Sequence, residues 1–165
     1  MQMALEEAQQ ALLHGDFPVG AVLTIDSQFI AKNRNRIFSQ QRTAAHAELP
    51  LLVEHSAQIR AATKAGQQIV LYSTLAPCLM CLGTTILHHI PKIIVACPDP
   101  YGGATHLDPH LLGDWYVQNW PVIETGLYRD ESYALLLQFL QNGDGRWHKM
   151  CGLFTQMQAK WQDTA

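Results

Sequence analysis

The sequence predicts an α/β fold, namely a three-layer α/β/α sandwich with a mixed five-stranded sheet and helices on both faces. Strand-like apolar segments alternate with segments of helical periodicity along the 165 residues, which is typical of α/β domains. Only a short turn separates the first two strands, which predicts a hairpin. More than 20 residues separate the last two, enough for a crossover that makes them parallel. Residues 1–165 contain no repeat or linker and are predicted to form a single domain.

The composition excludes several classes of protein. The chain is 48% apolar and 15% charged, with a formal net charge of −3, which excludes a mainly disordered chain. No stretch approaches the roughly 18 uninterrupted apolar residues of a membrane span, so no membrane partner is expected. Residues 1–13 include Glu6 and Glu7 and lack the basic start of a secretory signal. The four cysteines are too few for a disulfide scaffold, which predicts a reducing, cytoplasmic location.

The first part of the chain is predicted to form a helix, a hairpin, a second helix and a buried strand. These elements are expected at residues 1–14, 19–26, 29–33, 45–64 and 69–75. The apolar face of the first helix consists of Met1, Leu5, Ala8 and Leu12. Gly15 and Gly66 can end the two helices, and the hairpin turn is predicted at Asp26, Ser27 and Gln28. Pro50 falls in the first or second turn of its helix, where it could introduce a kink.

The second part of the chain is predicted to continue the alternation of helices and strands. The elements are expected at residues 78–90, 92–98, within 107–118, 120–127, 130–142 and 146–162. Pro77 opens the first of these helices, whereas Asp130 and Glu131 suit the first turn of a later one. The final amphipathic helix is expected to pack on the body or on a partner subunit. Its apolar residues are Trp147, Met150, Cys151, Phe154, Met157 and Trp161.

Two short motifs carry candidate chemistry. His46-Ala47-Glu48 alone is a weak signal, because a chain of this composition has roughly 0.3 such motifs by chance. The second motif, residues 77–81 with the pattern Pro-Cys-x-x-Cys, is a strong signal, because chance supplies roughly 0.005. Each motif lies at the start of a predicted helix, which gives both the same local context.

These residues have the chemistry of a metal site. Cys78 and Cys81, three apart in a first helical turn, point the same way and can share one ion. A helix N-terminus lowers the pKa of both thiols, which favours thiolate ligands. His46 adds a nitrogen ligand and the fourth position stays open, as in a catalytic Zn²⁺ site with one ion per chain. Two thiolates weaken zinc as a Lewis acid, so a nearby base is needed, and Glu48 can supply it.

Together the motifs resemble the signature of zinc deaminases, and the chain resembles the cytidine-deaminase-like superfamily nearly from end to end. Residues 3–26 are similar to the first helix and strand of that superfamily. Residues 77–97 resemble its zinc helix and following strand, and residues 122–140 its closing strand and helix. The layout is similar to that of bacterial tRNA-specific adenosine deaminases and of the related guanine and deoxycytidylate deaminases. The resemblance identifies the predicted domain as a deaminase domain.

This resemblance implies hydrolytic deamination of a nucleobase, nucleoside or nucleotide, in which a carbonyl replaces the exocyclic amine and ammonia leaves. Glu48 would carry a proton from the attacking water to the ring nitrogen, and His46, Cys78 and Cys81 would hold the zinc. The residues implied to contact the substrate are Phe17, Asn35, Ala47 and Asp99. The superfamily also assembles around its zinc helix, which implies a homodimer or a larger homo-oligomer.

The sequence departs from the tRNA enzymes at several places. Residues 42–45 are Arg-Thr-Ala-Ala where Asp-Pro-Thr-Ala is usual, and Ala76 stands where a glutamate usually precedes Pro-Cys. Residues 129–165 hold four basic and four acidic residues, whereas the tRNA enzymes often end in a basic helix. These differences and the net charge of −3 favour a small base, nucleoside or nucleotide as substrate. Deamination of the tRNA wobble adenosine remains the alternative.

One basic segment bears on that alternative. Lys32, Arg34 and Arg36 share one face of an extended strand, Arg42 follows them, and the segment leads to His46. A solvated strand face is one interpretation. A phosphate contact for a nucleotide or a short RNA is the other.

The two cysteines of the strong motif have other interpretations. A redox dithiol would also follow a strand and open a helix, but it leaves His46 and Glu48 without a role. A structural zinc-binding module, which is not an enzyme, would need a fourth protein ligand. The candidates for that ligand are His88, Cys97 and His106. Cys97 and Cys151 are expected to be packed thiols rather than ligands.

Overall fold

A computed structural model describes residues 1–143 and 145–162 and contains a five-stranded sheet in the order β2-β1-β3-β4-β5. The strands are β1 (Gly20–Ile25), β2 (Gln28–Arg34), β3 (Ile69–Leu75), β4 (Lys92–Cys97) and β5 (Val122–Thr125). β1 pairs antiparallel with β2 and β3, whereas β3, β4 and β5 are parallel neighbours. The mixed sheet, the hairpin and the parallel last pair are therefore confirmed.

Helices cover both faces of the sheet. They are α1 (Gln2–Leu13), α2 (Glu48–Glu54), α3 (Ser56–Lys64), α4 (Leu79–Leu87), α5 (Asp114–Gln118), α6 (Arg129–Gln141) and α7 (His148–Gln162). α1 and α6 pack together on one face, with α7 against α6, whereas α2, α3 and α4 form the layer on the other. This arrangement confirms the three-layer α/β/α sandwich. No helix within the described residues has both the length and the apolar character that crossing a membrane requires.

α1 lies closer to the sheet than a helix that packs through leucine side chains could. A Cβ at Gly20 would overlap the carbonyl oxygen of Ala4, so only glycine permits this contact. The buried residues of α1 are Ala4, Glu7, Ala8 and Ala11. The predicted face was therefore wrong except at Ala8, because small side chains fit against the strand and the leucines lie at its margin.

The helix predicted over residues 45–64 is two helices, because the chain breaks at His55. Pro50 causes no kink, since α2 begins at Glu48 and the proline lies in its first turn, where a backbone N–H needs no helical partner. At the break, the Ser56 hydroxyl donates to the Leu52 carbonyl (2.8 Å). The Ser56 side chain thus competes with helical hydrogen bonding at this point.

Three other predicted elements are shorter than expected. The segment 107–118 holds a short 3-10 helix (Pro109–Leu111) and α5, because Asp108 caps the first and Gly113 precedes the second. β5 begins after Pro121, which has no N–H for the sheet ladder. α4 ends at Leu87, and His89 adopts a left-handed conformation with φ 54°. Residues 144 and 163–165 and the side chain of Trp161 lie outside the described part of the chain.

Candidate active site

His46, Cys78 and Cys81 meet where the start of α2 faces the start of α4. One ligand atom from each, the imidazole nitrogen and the two sulfurs, lie within 4.8 Å of one another. His46 Nδ1 is 3.6 Å from Cys78 Sγ. No other histidine, cysteine or carboxylate of the described residues joins this group, so the fourth ligand that a structural zinc module needs is not found there.

Backbone contacts position these ligands from both sides. His46 immediately precedes α2, and the Asn33 side chain of β2 donates to the Ala47 carbonyl (3.0 Å) and fixes this turn. Cys78 is the extended N-cap residue of α4, which places Cys81 in the first turn behind it. The loop after β4 is tied to the same turn, because Ala104 N–H donates to the Pro77 carbonyl (2.9 Å).

Hydrogen bonds and burial set different pKa values for the three ligand side chains. The hydrogen bond from Cys81 lowers the pKa of the Cys78 thiol to about 4, so Cys78 is a thiolate at neutral pH. That same bond, together with burial, raises the pKa of Cys81. The hydrogen bond to Cys78 raises the pKa of His46. A metal ion binding here displaces protons from Cys81 and His46, which couples metal affinity to pH.

Glu48 is the first residue of α2 and is buried beside this cluster, 3% exposed. Its Oε1 accepts a hydrogen bond from the Ser73 hydroxyl of β3 (3.0 Å). Burial raises the pKa of the Glu48 carboxyl, since removal from water disfavours the charged form. The carboxyl is therefore held in one position and tuned towards neutrality, which suits proton transfer.

A cavity of about 310 Å³ opens onto His46, Glu48 and Cys78. Its walls are mainly apolar, and a few polar groups converge in it, as in sites for small molecules. The other lining residues are Phe17, Val19, Asn35, Ile37, Leu75, Ala76, Asp99, Tyr101, Gly102, Trp147 and Met150.

The structure brings three of the four proposed substrate contacts to this cavity. Phe17, Asn35 and Asp99 line it. Asn35 is buried and its Oδ1 accepts from Ile37 N–H (3.1 Å), while Asp99 Oδ1 accepts from the N–H groups of two loop residues, Tyr101 and Gly102. Burial raises the pKa of Asp99. Ala47 is fully buried outside the lining, and its carbonyl serves Asn33 instead.

Sequence reasoning missed four groups around the site. Ser73 and Asn33 orient Glu48 and the His46 turn, although single polar residues on strands gave no distinguishing signal. Trp147 and Met150 reach the cavity from the carboxy-terminal segment. Both belong to the amphipathic stripe that predicted packing on the body or on a partner, and Met150 is indeed buried. The stripe did not predict that they lie beside the metal ligands.

The basic segment is largely engaged in internal contacts. Lys32 and Arg34 both pair with buried Glu7, at 3.2 and 3.3 Å. Arg36 donates to Asn33 Oδ1 and lines a separate cavity together with Arg42. Lys32 and Arg34 thus share one face of the strand, as predicted, with an acidic partner on α1, whereas Arg36 lies beyond the end of β2.

Comparison with protein families identifies the class. Residues 1–97 match the model of the cytidine and deoxycytidylate deaminase zinc-binding region. The match spans more than half of the chain and includes the three residues of the ligand cluster and the buried carboxylate, Glu48. The protein belongs to this deaminase family.

Individual relatives are similar over most of the chain. The tRNA-specific adenosine deaminase of Bacillus subtilis (strain 168) is 31% identical over 141 residues, covering 86% of each chain. The tRNA-specific adenosine deaminase of Agrobacterium fabrum (strain C58 / ATCC 33970) is 34% identical over 146 residues, covering 86% of this chain and 91% of that one.

Solved structures support the same assignment of fold. A structure from work on A-to-I editing by tRNA:A34 deaminases at the wobble position of transfer RNA is 32% identical, with a TM-score of 0.60 over 82% of this chain and 97% of that one. A guanine deaminase from Nitrosomonas europaea is 22% identical, with a TM-score of 0.67 over 84% and 81% of the two chains. The second comparison bears on the fold alone.

Proposed function

We propose that this protein is a zinc-dependent hydrolase that deaminates a nucleobase presented as a free base, nucleoside or nucleotide. The observation that carries the proposal is the cluster of His46, Cys78 and Cys81 beside the buried carboxyl of Glu48, in one cavity. The metal ligands, the general base Glu48 and the cavity for the substrate thus adjoin one another. Membership in the deaminase family supports the reaction type.

The donor set fits zinc. One imidazole nitrogen and two sulfurs are ligands that Zn²⁺ prefers, and three protein ligands leave a fourth position open. Zinc bound there would supply a water-derived nucleophile at neutral pH. The low pKa of Cys78, about 4, means that one of the two thiolates is already present before a metal arrives.

Glu48 moves the protons in the proposed reaction. It takes one from the attacking water and gives it to the ring nitrogen next to the carbon that bears the amine. After the oxygen has added to that carbon, Glu48 takes the remaining proton from the added hydroxyl and passes it to the amine. The C=O bond forms as the C–N bond breaks, and ammonia leaves. The net change is the addition of water and loss of ammonia, with a carbonyl in place of the amine. The raised pKa of Glu48 suits both the acceptance and the return of a proton.

The cavity supports a flat aromatic substrate. Phe17, Ile37 and Leu75 provide apolar walls, and Asn35 and Asp99 provide polar atoms at the edge of the ring. Bases outside a duplex are recognised in this way, by stacking on apolar side chains and by hydrogen bonds to their edges. Ala47 is not part of this proposal, since it lies outside the lining.

Deamination of the tRNA wobble adenosine is a second candidate. It is supported by the similarity to two tRNA-specific adenosine deaminases, which are 31% and 34% identical to this chain. The pairing of Lys32 and Arg34 with Glu7 favours the smaller substrates, because those two charges are not free for phosphates. Both candidates use the same zinc site and the same carboxylate.

We also propose that the protein is a cytoplasmic homodimer. Val53, Leu79 and Leu87 are 57%, 66% and 65% exposed on the adjoining helices α2 and α4. A second copy covering this face would bury them beside the metal site. All four cysteines are free, which suits a reducing compartment.

Ammonia release from zinc-loaded protein tests the proposal. The panel contains adenine, guanine and cytosine, their nucleosides and nucleotides, and an anticodon stem-loop with adenosine at the wobble position. The proposal expects release from at least one small substrate. Inosine in the stem-loop, with binding that weakens steeply as salt rises, would select the tRNA candidate. No ammonia from any member, at one zinc per chain, would overturn the deaminase assignment.

A further inference from the structure

Trp147 lies between two cavities. One is the candidate active-site cavity of about 310 Å³, which Glu48 lines. The other, about 420 Å³, is lined by Leu12, Phe38, Phe139 and Gly143 among others. Trp147 lines both, so its side chain is part of the partition that separates them.

An aromatic cluster holds the indole ring in this position. Its ring centroid is 5.0 Å from that of Phe17, in an edge-on contact, and 6.1 Å from that of Phe139. On the far side, a Cβ added at Gly143 would overlap the indole Cδ1. The edge of the ring at Cδ1 thus packs directly on the Gly143 backbone, beside the neighbouring cavity.

The helix that follows Trp147 is anchored in the core. Met150 and Phe154 of α7 are 7% and 0% exposed, and the Phe154 ring contacts that of Tyr133 on α6. The Trp147 carbonyl accepts a hydrogen bond from Cys151 N–H of α7 (2.8 Å), and the indole packs on the Gly143 backbone, so both the main chain and the ring of Trp147 are held. A wall built in this way has a defined position rather than an adaptable one.

We propose that Trp147 is the specificity-determining residue of the pocket, and that its indole sets the size limit of the base that can enter. The inference rests on the proposed deaminase function. Removing the indole joins the two cavities, which makes room for a substituent on the side of the ring that faces Trp147. Loss of steric exclusion in an apolar pocket changes discrimination by about 10- to 200-fold per group.

The test uses Trp147→Ala, Trp147→Phe and the zinc-loaded wild type. Each is assayed with the best substrate of the panel and with analogues that carry a benzyl group at each ring position remote from the amine. For at least one analogue, Trp147→Ala should raise kcat/KM relative to the parent base by tenfold or more, and Trp147→Phe by less. Leu12→Ala is the matched control, because Leu12 lines the neighbouring cavity and not the active-site cavity, and it should leave the ratio unchanged.

Gly143→Ala tests the same wall without removing the indole. The new methyl group pushes the ring away from the neighbouring cavity and towards the active-site cavity, so discrimination against the analogues should become stricter. Equal ratios for all analogues in wild type, Trp147→Ala and Gly143→Ala would overturn the proposal, provided that thermal melting shows folded variants. An equal change in Leu12→Ala would also overturn it.

A binding measurement separates this inference from the proposed function. Calorimetric titration with indole needs no turnover: the joined cavity of Trp147→Ala should bind indole at least tenfold more tightly than the wild type, as apolar cavities take up matching aromatic molecules. If Trp147→Ala binds indole more tightly than the wild type but no ammonia is released from any substrate, only the deaminase function is refuted. Deamination with neither indole binding nor altered ratios would refute only the role of Trp147.

Discussion

The hydroxyl of Ser73 lies 3.0 Å from Oε1 of Glu48, and both side chains are buried. The same hydroxyl lies 2.7 Å from the Leu75 carbonyl, and its single proton can serve one acceptor at a time. An ionised carboxylate is the stronger acceptor. Ser73 is therefore positioned to hold Glu48 in its charged form and to lose that bond when Glu48 is protonated.

Replacing this hydroxyl should change the acid–base behaviour of the enzyme. In Ser73→Ala the charged form of Glu48 loses a donor, so its pKa rises further and the acidic limb of the kcat/KM profile moves to higher pH. A hydrogen bond to a charged group is worth about 1.5–3 kcal/mol, which corresponds to a loss of about ten- to a hundredfold in kcat/KM. The pH–rate profile measures both effects.

Ser73→Thr is the control for that experiment, because it retains the hydroxyl and should retain the wild-type limb. Zinc content should equal that of wild type in both variants, since Ser73 contacts no ligand. An Ala variant with full zinc and an unshifted limb would show that Ser73 does not act on Glu48.

Asn33 should influence metal affinity without touching the metal. Its amide holds the Ala47 carbonyl at 3.0 Å and so fixes the turn that carries His46. Asn33→Ala should weaken zinc binding by about 10- to 100-fold, the usual cost of losing an outer hydrogen bond at a metal site. Competition with a chromogenic chelator measures this change. Asn119→Ala, which removes an exposed contact to His89, should bind zinc like wild type; equal affinity in the two variants would contradict the assignment.

Cys78 should be the most reactive thiol of the metal-free protein. Its pKa of about 4 makes it a thiolate at pH 6, where an ordinary thiol is about 0.3% ionised. Iodoacetamide at pH 6 should therefore modify Cys78 first, as peptide mass spectrometry can show. Zinc should protect it, and Cys97, whose pKa burial raises to about 12, should stay unmodified. Earlier labelling of Cys97 would contradict these pKa values.

Arg34 should contribute to stability rather than to RNA binding. It is 24% exposed and pairs with Glu7, itself 11% exposed, so Arg34→Ala should lower the free energy of unfolding by about 1 kcal/mol. Urea denaturation measures this loss. If the variant is as stable as wild type and instead flattens the salt dependence of stem-loop binding by about one unit, the basic segment contacts phosphate after all.

The sequence predicted the parts of the fold and the site whose signals are local. Cys78 and Cys81 share a turn because they are three positions apart at a helix start, whatever the rest of the chain does. The hairpin at Asp26 and Ser27 is equally local, and both residues adopt positive φ there. The prediction that His46 joins these cysteines rested on a second motif. The two motifs are unlikely to occur together by chance, and this made the prediction possible.

The features that were missed depend on how distant segments dock. Trp147, which immediately precedes α7, reaches the cavity only because α7 packs on α6, and an apolar stripe does not show which residues of other elements it will contact. Glu7 gains its two partners, Lys32 and Arg34, only because α1 docks beside β2, which no local pattern predicts. Pro50 misled because its effect depends on where the helix begins, and that start is set by the turn at His46 rather than by periodicity.

The most direct test of the account is zinc content and ammonia release measured together in Glu48→Gln. The amide fits the same space but cannot accept and return a proton, and Glu48 lies outside the ligand cluster. The account predicts one zinc per chain, as in wild type, and a loss of at least about 10²- to 10⁴-fold in kcat. A variant that keeps its zinc and turns over at the wild-type rate would contradict the role of Glu48, and loss of the metal would contradict the ligand set.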